Sequence, residues 1–337
     1  MNDEIEQSKR RITVIVDPHI KVSKDYFVYA DGLALEEGQQ EAGNYTSIFV
    51  KKAKNNKPFE GICWPWLSVW IDFLNENGQK YWESLFSYEK FPHQSSIYNF
   101  WNDMNEPSVF STLARTIPMS SLHYKIDGRA VEHRDIHNAY GALQQRSSWR
   151  GMFAREQGKM RPFVLTRSFF MGSQKYGTYW TGDNFSVDGE VYGSLKMLLT
   201  MGLAGIPFGG SDIPGFTGNP TEELFIRFYQ LGMFYPFFRA HNDIKDKLVP
   251  RDPWLTTPRV QAAIRDAINR RYDLIHYIYT TFHRATQTGE PLMRTMWSEF
   301  VEQEQFFNVS SQFMFGSAIL VAPKITSPVE PLASSNM

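Results

Sequence analysis

The sequence predicts an α/β fold, a parallel sheet flanked by helices and either open or closed into a barrel. Three observations predict it. Short apolar runs alternate with longer amphipathic segments along most of the 337 residues. Run after run ends in a polar residue, giving the series Asp17, Asp103, Arg167, Asp183, Asp212 and His241. The composition, 42% hydrophobic and 21% charged, is that of a chain with a large core to bury and lies outside the disordered regime. Open and closed parallel sheets both bind ligands at the C-terminal ends of their strands, so this series locates a candidate site.

The elements follow in order. Residues 1–11 read as the polar end of a helix, and 12–16 as a buried strand closed by Asp17 and Pro18. A long segment over 21–75, rich in Gly, Asn, Tyr and Trp, precedes a helix near 79–88 with Tyr81, Trp82, Leu85 and Phe86 on one side. Further strands are expected over 97–101, 163–166, 178–181, 206–209 and 234–238, separated by helices over 135–156, 191–201, 221–232 and 259–286. The last helix carries charges of both signs, so it is expected to pack on the sheet and not on a membrane. Residues 312–323 read as two short strands opening a new β unit, followed by a Ser/Pro tail. Both ends have the look of a cut: the chain starts in mid-architecture, and its last β unit is left incomplete.

Composition and spacing exclude several functions. With 35 Lys+Arg against 36 Asp+Glu, the net charge of −1 offers no bulk attraction for nucleic acid or an anionic membrane. The chain holds no apolar run of about 18 residues, and the longest early apolar stretch, 12–16, is too short for the core of an export signal. Cys63 is the only cysteine, so neither an intrachain disulfide nor a Cys-based zinc cluster can form. Glycine-rich nucleotide loops, zinc-protease helices and serine-hydrolase elbows are absent from the sequence. His133 and His137 stand four apart but have no third ligand nearby in sequence, so they read as structural. Neither a metal nor a cofactor is expected. Triplets at Asn44, Asn184 and Asn308 have the form of glycosylation acceptors, although a glycan on Asn184 would obstruct its neighbour Asp183. The 15% aromatic content suits a site that stacks flat apolar rings such as sugars.

Two segments, WNDMNE at 101–106 and WTGDN at 180–184, each set a carboxylate just past an aromatic strand end. Paired carboxyls are what glycoside hydrolysis requires, one ionised and one protonated. At this point the chain resembles a known family. WNDMNEPSVF (101–110), RPFVLTRSFFMGSQKYGTYWTGDN (161–184) and FFRAH (237–241) resemble the retaining α-glucosidases of glycoside hydrolase family 31, over about residues 12–323. VDPHIK (16–21), VEHRDIHNAYG (131–141) and YPFFRAH look like the branch that trims N-linked glycans in the endoplasmic reticulum.

That resemblance implies a (β/α)8 TIM barrel, incomplete with strands 3 to 8 present, over 1–298. It places a long insertion between strand 3 and helix 3 at 21–75, the start of a C-terminal β-sandwich at 299–326 and a tail at 327–337. It makes Asp103 the nucleophile and Asp183 the acid and then base. Arg167 and His241 would hold sugar hydroxyls. Trp101, Met104, Ile20, Trp64, Trp180 and Phe216 would wall the subsite of the reacting glucose, and Asp212 would be a supporting polar residue among the substrate-binding set. The implied substrate is a glucose-terminated oligosaccharide or N-glycan, with a non-catalytic β subunit as possible partner and the endoplasmic-reticulum lumen as location.

Cys63-Trp64-Pro65-Trp66 and Asp212-Ile213-Pro214-Gly215-Phe216 depart from the family pattern by placing Trp66 and Pro214 where small residues stand. The family has two strands before 12–16, one bearing an aspartate for outer glucose hydroxyls. Accordingly the 337 residues expressed alone are expected to aggregate and to be inactive. An inert carbohydrate-binding homologue, an α-xylosidase, a transglucosidase and an α-glucan lyase are the alternatives.

Overall fold

The computed structural model describes residues 2–41, 47–244 and 250–325, which fall into two compact units, 1–178 and 179–337. Asn44 lies outside the described residues.

In the first unit the strands Ile12–Ile15, Tyr98–Asn102 and Val164–Thr166 lie parallel and adjacent in chain order. Ile15 stands opposite Trp101, and Trp101 opposite Leu165, so the C-terminal ends of all three strands are level. This is the order a (β/α) barrel requires, with the crossover helices Glu76–Ser84 and Tyr140–Arg155 packed on one another. Asn75 starts the first of these helices by accepting the Asn77 N–H at 2.9 Å. Trp82 then turns its indole N–H to Ser148 Oγ at 2.9 Å, which satisfies the polar end of a buried ring.

The segment expected as an insertion has its own architecture. It holds the helix Phe27–Glu41 and an antiparallel sheet in which Trp66–Trp70 lies between His19–Lys21 and Glu60–Cys63. Phe49, Trp70, Ile71 and Phe73 are closed off from solvent. Inside this core, Lys51 is ion-paired with Glu36, whose Oε2 also accepts the N–H groups of Ile48 and Phe49 at 3.1 Å each. Sequence periodicity does not reveal this helix, because its buried Glu36 interrupts the apolar stripe that would mark it.

In the second unit the strand ending at Trp180 runs parallel to Gly209–Gly210, and Asp212–Ile213 runs parallel to Arg239–Ala240. A side chain on Gly209 would lie 2.1 Å from the Tyr179 ring, which explains the bare backbone there. The helices Asp188–Leu203 and Glu222–Gly232 separate these strands. Thr221 caps the latter by accepting the Leu224 N–H at 3.2 Å. Antiparallel strands Met293–Thr295, Phe313–Phe315 and Ile319–Val321 follow.

Three expectations need correction. The aromatic run at 234–238 is no strand, since pairing falls on Arg239–Ala240 while Phe234 packs edge-on against Phe315 with centroids 5.5 Å apart. The strand expected over 206–209 is confined to Gly209–Gly210. The helix expected over 259–286 is two, Pro258–Asp273 and Ile275–Thr288, divided at Leu274. No described helix is long and apolar enough to cross a membrane.

Candidate active site

The level strand ends of the first unit bring three of the polar residues into one row. Asp17, Asp103 and Arg167 each lie two positions beyond the aligned Ile15, Trp101 and Leu165. The row is tied across the strands, for Asn102 Nδ2 donates to Val16 O at 3.2 Å and Arg167 N to Asn102 O at 3.0 Å. Asn105 adds a second tie, donating to Thr166 Oγ1 at 2.8 Å and accepting the Ser168 N–H at 2.9 Å.

Arg167 organises this row. Its Nη1 lies 3.0 Å from Asp103 Oδ1, its Nε and Nη2 grip the two oxygens of Glu106 at 2.6 and 3.2 Å, and Nη2 also reaches Met104 Sδ at 3.0 Å. The planar guanidinium fork allows these contacts to be made together. Asp103 Oδ1 accepts the Met104 N–H at 2.8 Å, and Met104 holds φ at 55°, a left-handed conformation that costs a side-chain-bearing residue on the order of 1 kcal/mol. The chain accepts that strain where it turns the Asp103 carboxylate toward Arg167.

The electrostatics diverge within a short distance. Burial pushes Glu106 upward, but the bonds and charge of Arg167 and the Ser108 hydroxyl outweigh it and hold Glu106 below the usual carboxylate range. Asp17 moves the other way, pushed up to about 7 by burial and the charge of Asp103, with Glu106 adding and Arg167 opposing. Asp17 Oδ1 is buried without a hydrogen-bond partner among the described residues. His19, 3.3 Å from Asp17, is driven down to about 4 by burial and stays neutral at pH 7.

A cavity of about 1050 Å³ reaches this corner, with Asp17, His19, Ile20 and Trp64 on its wall. Ile20 and Met104 are buried, whereas Trp64 is 71% exposed and meets Phe110 edge-on at 5.0 Å. Trp66, two residues on, is 73% exposed at φ 75°.

The second unit gathers the remaining candidates. Asp183 is exposed on the turn after Trp180, with Gly182 at φ 83° making that turn possible. Asn184 braces it: the amide donates to Ser211 Oγ at 3.0 Å and Asp212 O at 3.1 Å, and its Oδ1 accepts the Phe216 N–H at 3.2 Å. A side chain so buried and so bonded cannot accept a glycan. Asn308, by contrast, is exposed.

Trp180 is buried beneath Arg239, whose guanidinium lies 5.0 Å from its ring, and the Arg239 Nε donates to Asp212 at 3.1 Å. Asp212 is fully buried and holds Arg239 in place, in keeping with a supporting polar residue. The rings of Phe216 and His241 pack at 5.4 Å. Burial and the charge of Arg239 take His241 down to about 4 against the pull of Asp243, so its imidazole is neutral at pH 7.

Sequence reasoning passes over Glu106 and Arg239. Both stand in the segments that carry the resemblance, Glu106 three residues after Asp103 and Arg239 within FFRAH. Their signal is charge beside a strand end; their ion pairs depend on side-chain contacts that spacing cannot show.

Residues 1–281 match the model of the glycosyl hydrolases family 31 TIM-barrel domain, and 289–333 that of the glycosyl hydrolase family 31 C-terminal domain. The chain is 43% identical to the neutral alpha-glucosidase C of Mus musculus over 328 residues, 97% of this chain and 34% of that protein. It is 43% identical to a probable glucan 1,3-alpha-glucosidase of Arabidopsis thaliana, over 95% of this chain and 33% of that protein. Crystal structures of the glucosidase II alpha subunit, one of them Glc1Man2-bound, superimpose with a TM-score of 0.87 at 38% identity, covering 97% of this chain and 34% of theirs. A further structure shows endoplasmic-reticulum glucosidase II as a heterodimer of the catalytic subunit and the binding domain of a regulatory subunit. The chain thus spans about a third of the length of these relatives.

Proposed function

The chain belongs to glycosyl hydrolase family 31, as a TIM-barrel domain followed by a C-terminal domain, and on that footing we propose that it carries the catalytic centre of a retaining α-glucosidase. The observation that supports this best is the Asp103–Arg167–Glu106 cluster. A cation 3.0 Å from Asp103 favours the ionised carboxylate and aims it, as a nucleophile requires. Asp103 attacks the anomeric carbon while Asp183, exposed and able to meet a leaving group, protonates the glycosidic oxygen as the bond breaks. A glucosyl ester on Asp103 results. Asp183 then removes a proton from water, which attacks the ester and releases α-glucose, two inversions having restored the configuration. The neutral His241 exchanges hydrogen bonds with sugar hydroxyls, and Phe216, Trp64 and Ile20 supply apolar walls.

For the finer substrate, the reading is an α-1,3-linked glucose, as in N-linked glycans. It is supported by two relatives, one a probable glucan 1,3-alpha-glucosidase and the other a glucosidase II alpha subunit also seen with alpha3-Glc2 bound. Pairing with a β subunit in the endoplasmic-reticulum lumen belongs to the same reading and has the same kind of support. The test is to follow hydrolysis by NMR and to compare glucose-linked with xylose-linked chromogenic substrates. Early α-glucose and a preference for the glucoside are expected. A β-anomer first, or a preference for the xyloside, would overturn the reading.

A further inference from the structure

Asp72, His123, His133 and His137 stand in a row in the first unit. His123 Nδ1 is 2.8 Å from Asp72 Oδ1, His123 Nε2 is 3.0 Å from His133 Nδ1, and His133 Nε2 is 3.0 Å from His137 Nδ1. Asp72, His123 and His133 are wholly buried, and His137 is half-buried. At 3.0 Å the facing nitrogens have room for a shared proton and none for an ion. The hairpin Leu122–Tyr124 with Ala130–Glu132 brings His123 and His133 together, a juxtaposition invisible from the spacing of His133 and His137 alone.

The network orders the protons. Asp72 accepts backbone N–H groups from Leu74 at 3.1 Å and Tyr124 at 2.8 Å, so it acts as an acceptor toward His123 as well. His123 therefore donates from Nδ1, and in the ordering inferred below it accepts at Nε2, with His133 and then His137 oriented the same way. Burial holds His133 down to about 3 and lowers His137, although the Glu106 charge pulls the latter partway back, so the two rings are neutral near pH 7.

The row ends where it can bear on the reacting residues. His137 opens the turn His137–Ala139, which runs into the helix Tyr140–Arg155. Tyr140 donates to Ile71 O at 2.9 Å, beside Asp72, which closes the loop at its far end. A Cβ on Gly141 would lie 2.7 Å from both Asn105 O and Ser168 O, so the helix start is seated directly on those two residues. Asn105 precedes Glu106, and Ser168 follows Arg167.

We infer that Asp72, His123, His133 and His137 form one proton-ordered hydrogen-bond chain that positions the Glu106–Arg167 pair beside Asp103. The four act as positioning residues, and the inference rests on Asp103 being the nucleophile of the reaction proposed above.

The test compares His137→Leu, which cannot donate to His133, with His137→Asn, whose amide N–H can take the place of Nδ1–H. Three readouts are taken on the chain joined to the two strands that the family places before 12–16: imidazole tautomers by nitrogen-15 NMR, the Arg167 Nε–H resonance identified through Arg167→Lys, and kcat and KM on a chromogenic α-glucoside. The wild type should show all three rings as the Nδ1–H tautomer. His137→Leu should shift or broaden the Arg167 resonance and lower kcat by about 10- to 100-fold with KM within about threefold, and His137→Asn should restore both. A mixed tautomer set, an Arg167 resonance indifferent to His137→Leu, or equal impairment in the two variants would overturn the inference. A wild type that shows the tautomers and the Arg167 response but hydrolyses no α-glucoside would instead sink the proposed function and leave the positioning chain standing.

Discussion

Replacing Asp17 by Asn removes a carboxyl that burial displaces far upward. Asp17 is carried from its ordinary 3.8 up to about 7 by burial and by Asp103, and its side chain is only 18% exposed, so solvent screening takes away little of the effect. A carboxyl raised by folding binds its proton more tightly in the native state. Its contribution is therefore complete below pH 3.8 and is lost as pH climbs through about 7. Across that window the loss accumulates at about 1.4 kcal/mol per pH unit and reaches about 4 kcal/mol. Asn cannot ionise and escapes it. The two proteins should be equally stable below about pH 4, after which Asp17→Asn should gain steadily and level off about 4 kcal/mol ahead above pH 7. Hydrogen exchange of peptides covering Tyr98–Asn102, compared at matched pH from about 4 to 8.5, reads the first unit by itself. A difference that does not vary with pH, or one that favours the wild type at pH 8, would refute the reasoning.

Three further outcomes follow from single contacts. Lys51→Met strands the buried Glu36 carboxylate and should cost roughly 3–5 kcal/mol in urea unfolding, whereas the double change with Glu36→Leu should recover most of it. Gly141→Ala forces a Cβ against the Asn105 and Ser168 carbonyls and should lower kcat on a chromogenic glucoside by about tenfold or more; wild-type turnover would mean the helix start can retreat without disturbing Arg167. Asp183→Ala should retain activity only on substrates with very good leaving groups and be rescued by azide, as product analysis would show.

Much of the architecture is legible because it is periodic. The strand over 12–16 and those ending at Asn102 and Thr166 announce themselves as short apolar runs closed by polar residues. The row of Asp17, Asp103 and Arg167 is legible because WNDMNEP couples an aromatic strand end to a carboxylate. What escapes is set by contacts between distant residues. Glu36 reads as a surface charge until Lys51 and two backbone amides are folded onto it. His133 and His137 suggest a metal pair lacking a ligand, and the neighbour that makes sense of them, His123, arrives through a hairpin ten residues upstream. The run at 234–238 looks like a strand because it is a short aromatic stretch, but its rings pack on neighbouring rings, as Phe234 does on Phe315, and carry no ladder. The break at Leu274 has neither Gly nor Pro to announce it.

The central claim is that Asp103 is the nucleophile, and the most direct measurement is covalent trapping with a 5-fluoro-glucosyl fluoride followed by mass spectrometry of the digested protein. The account predicts one glucosyl adduct on the peptide carrying Asp103, its disappearance in Asp103→Asn and its persistence in Asp183→Ala. An adduct on Glu106, Asp17 or any other carboxylate, or undiminished labelling of Asp103→Asn, would contradict it.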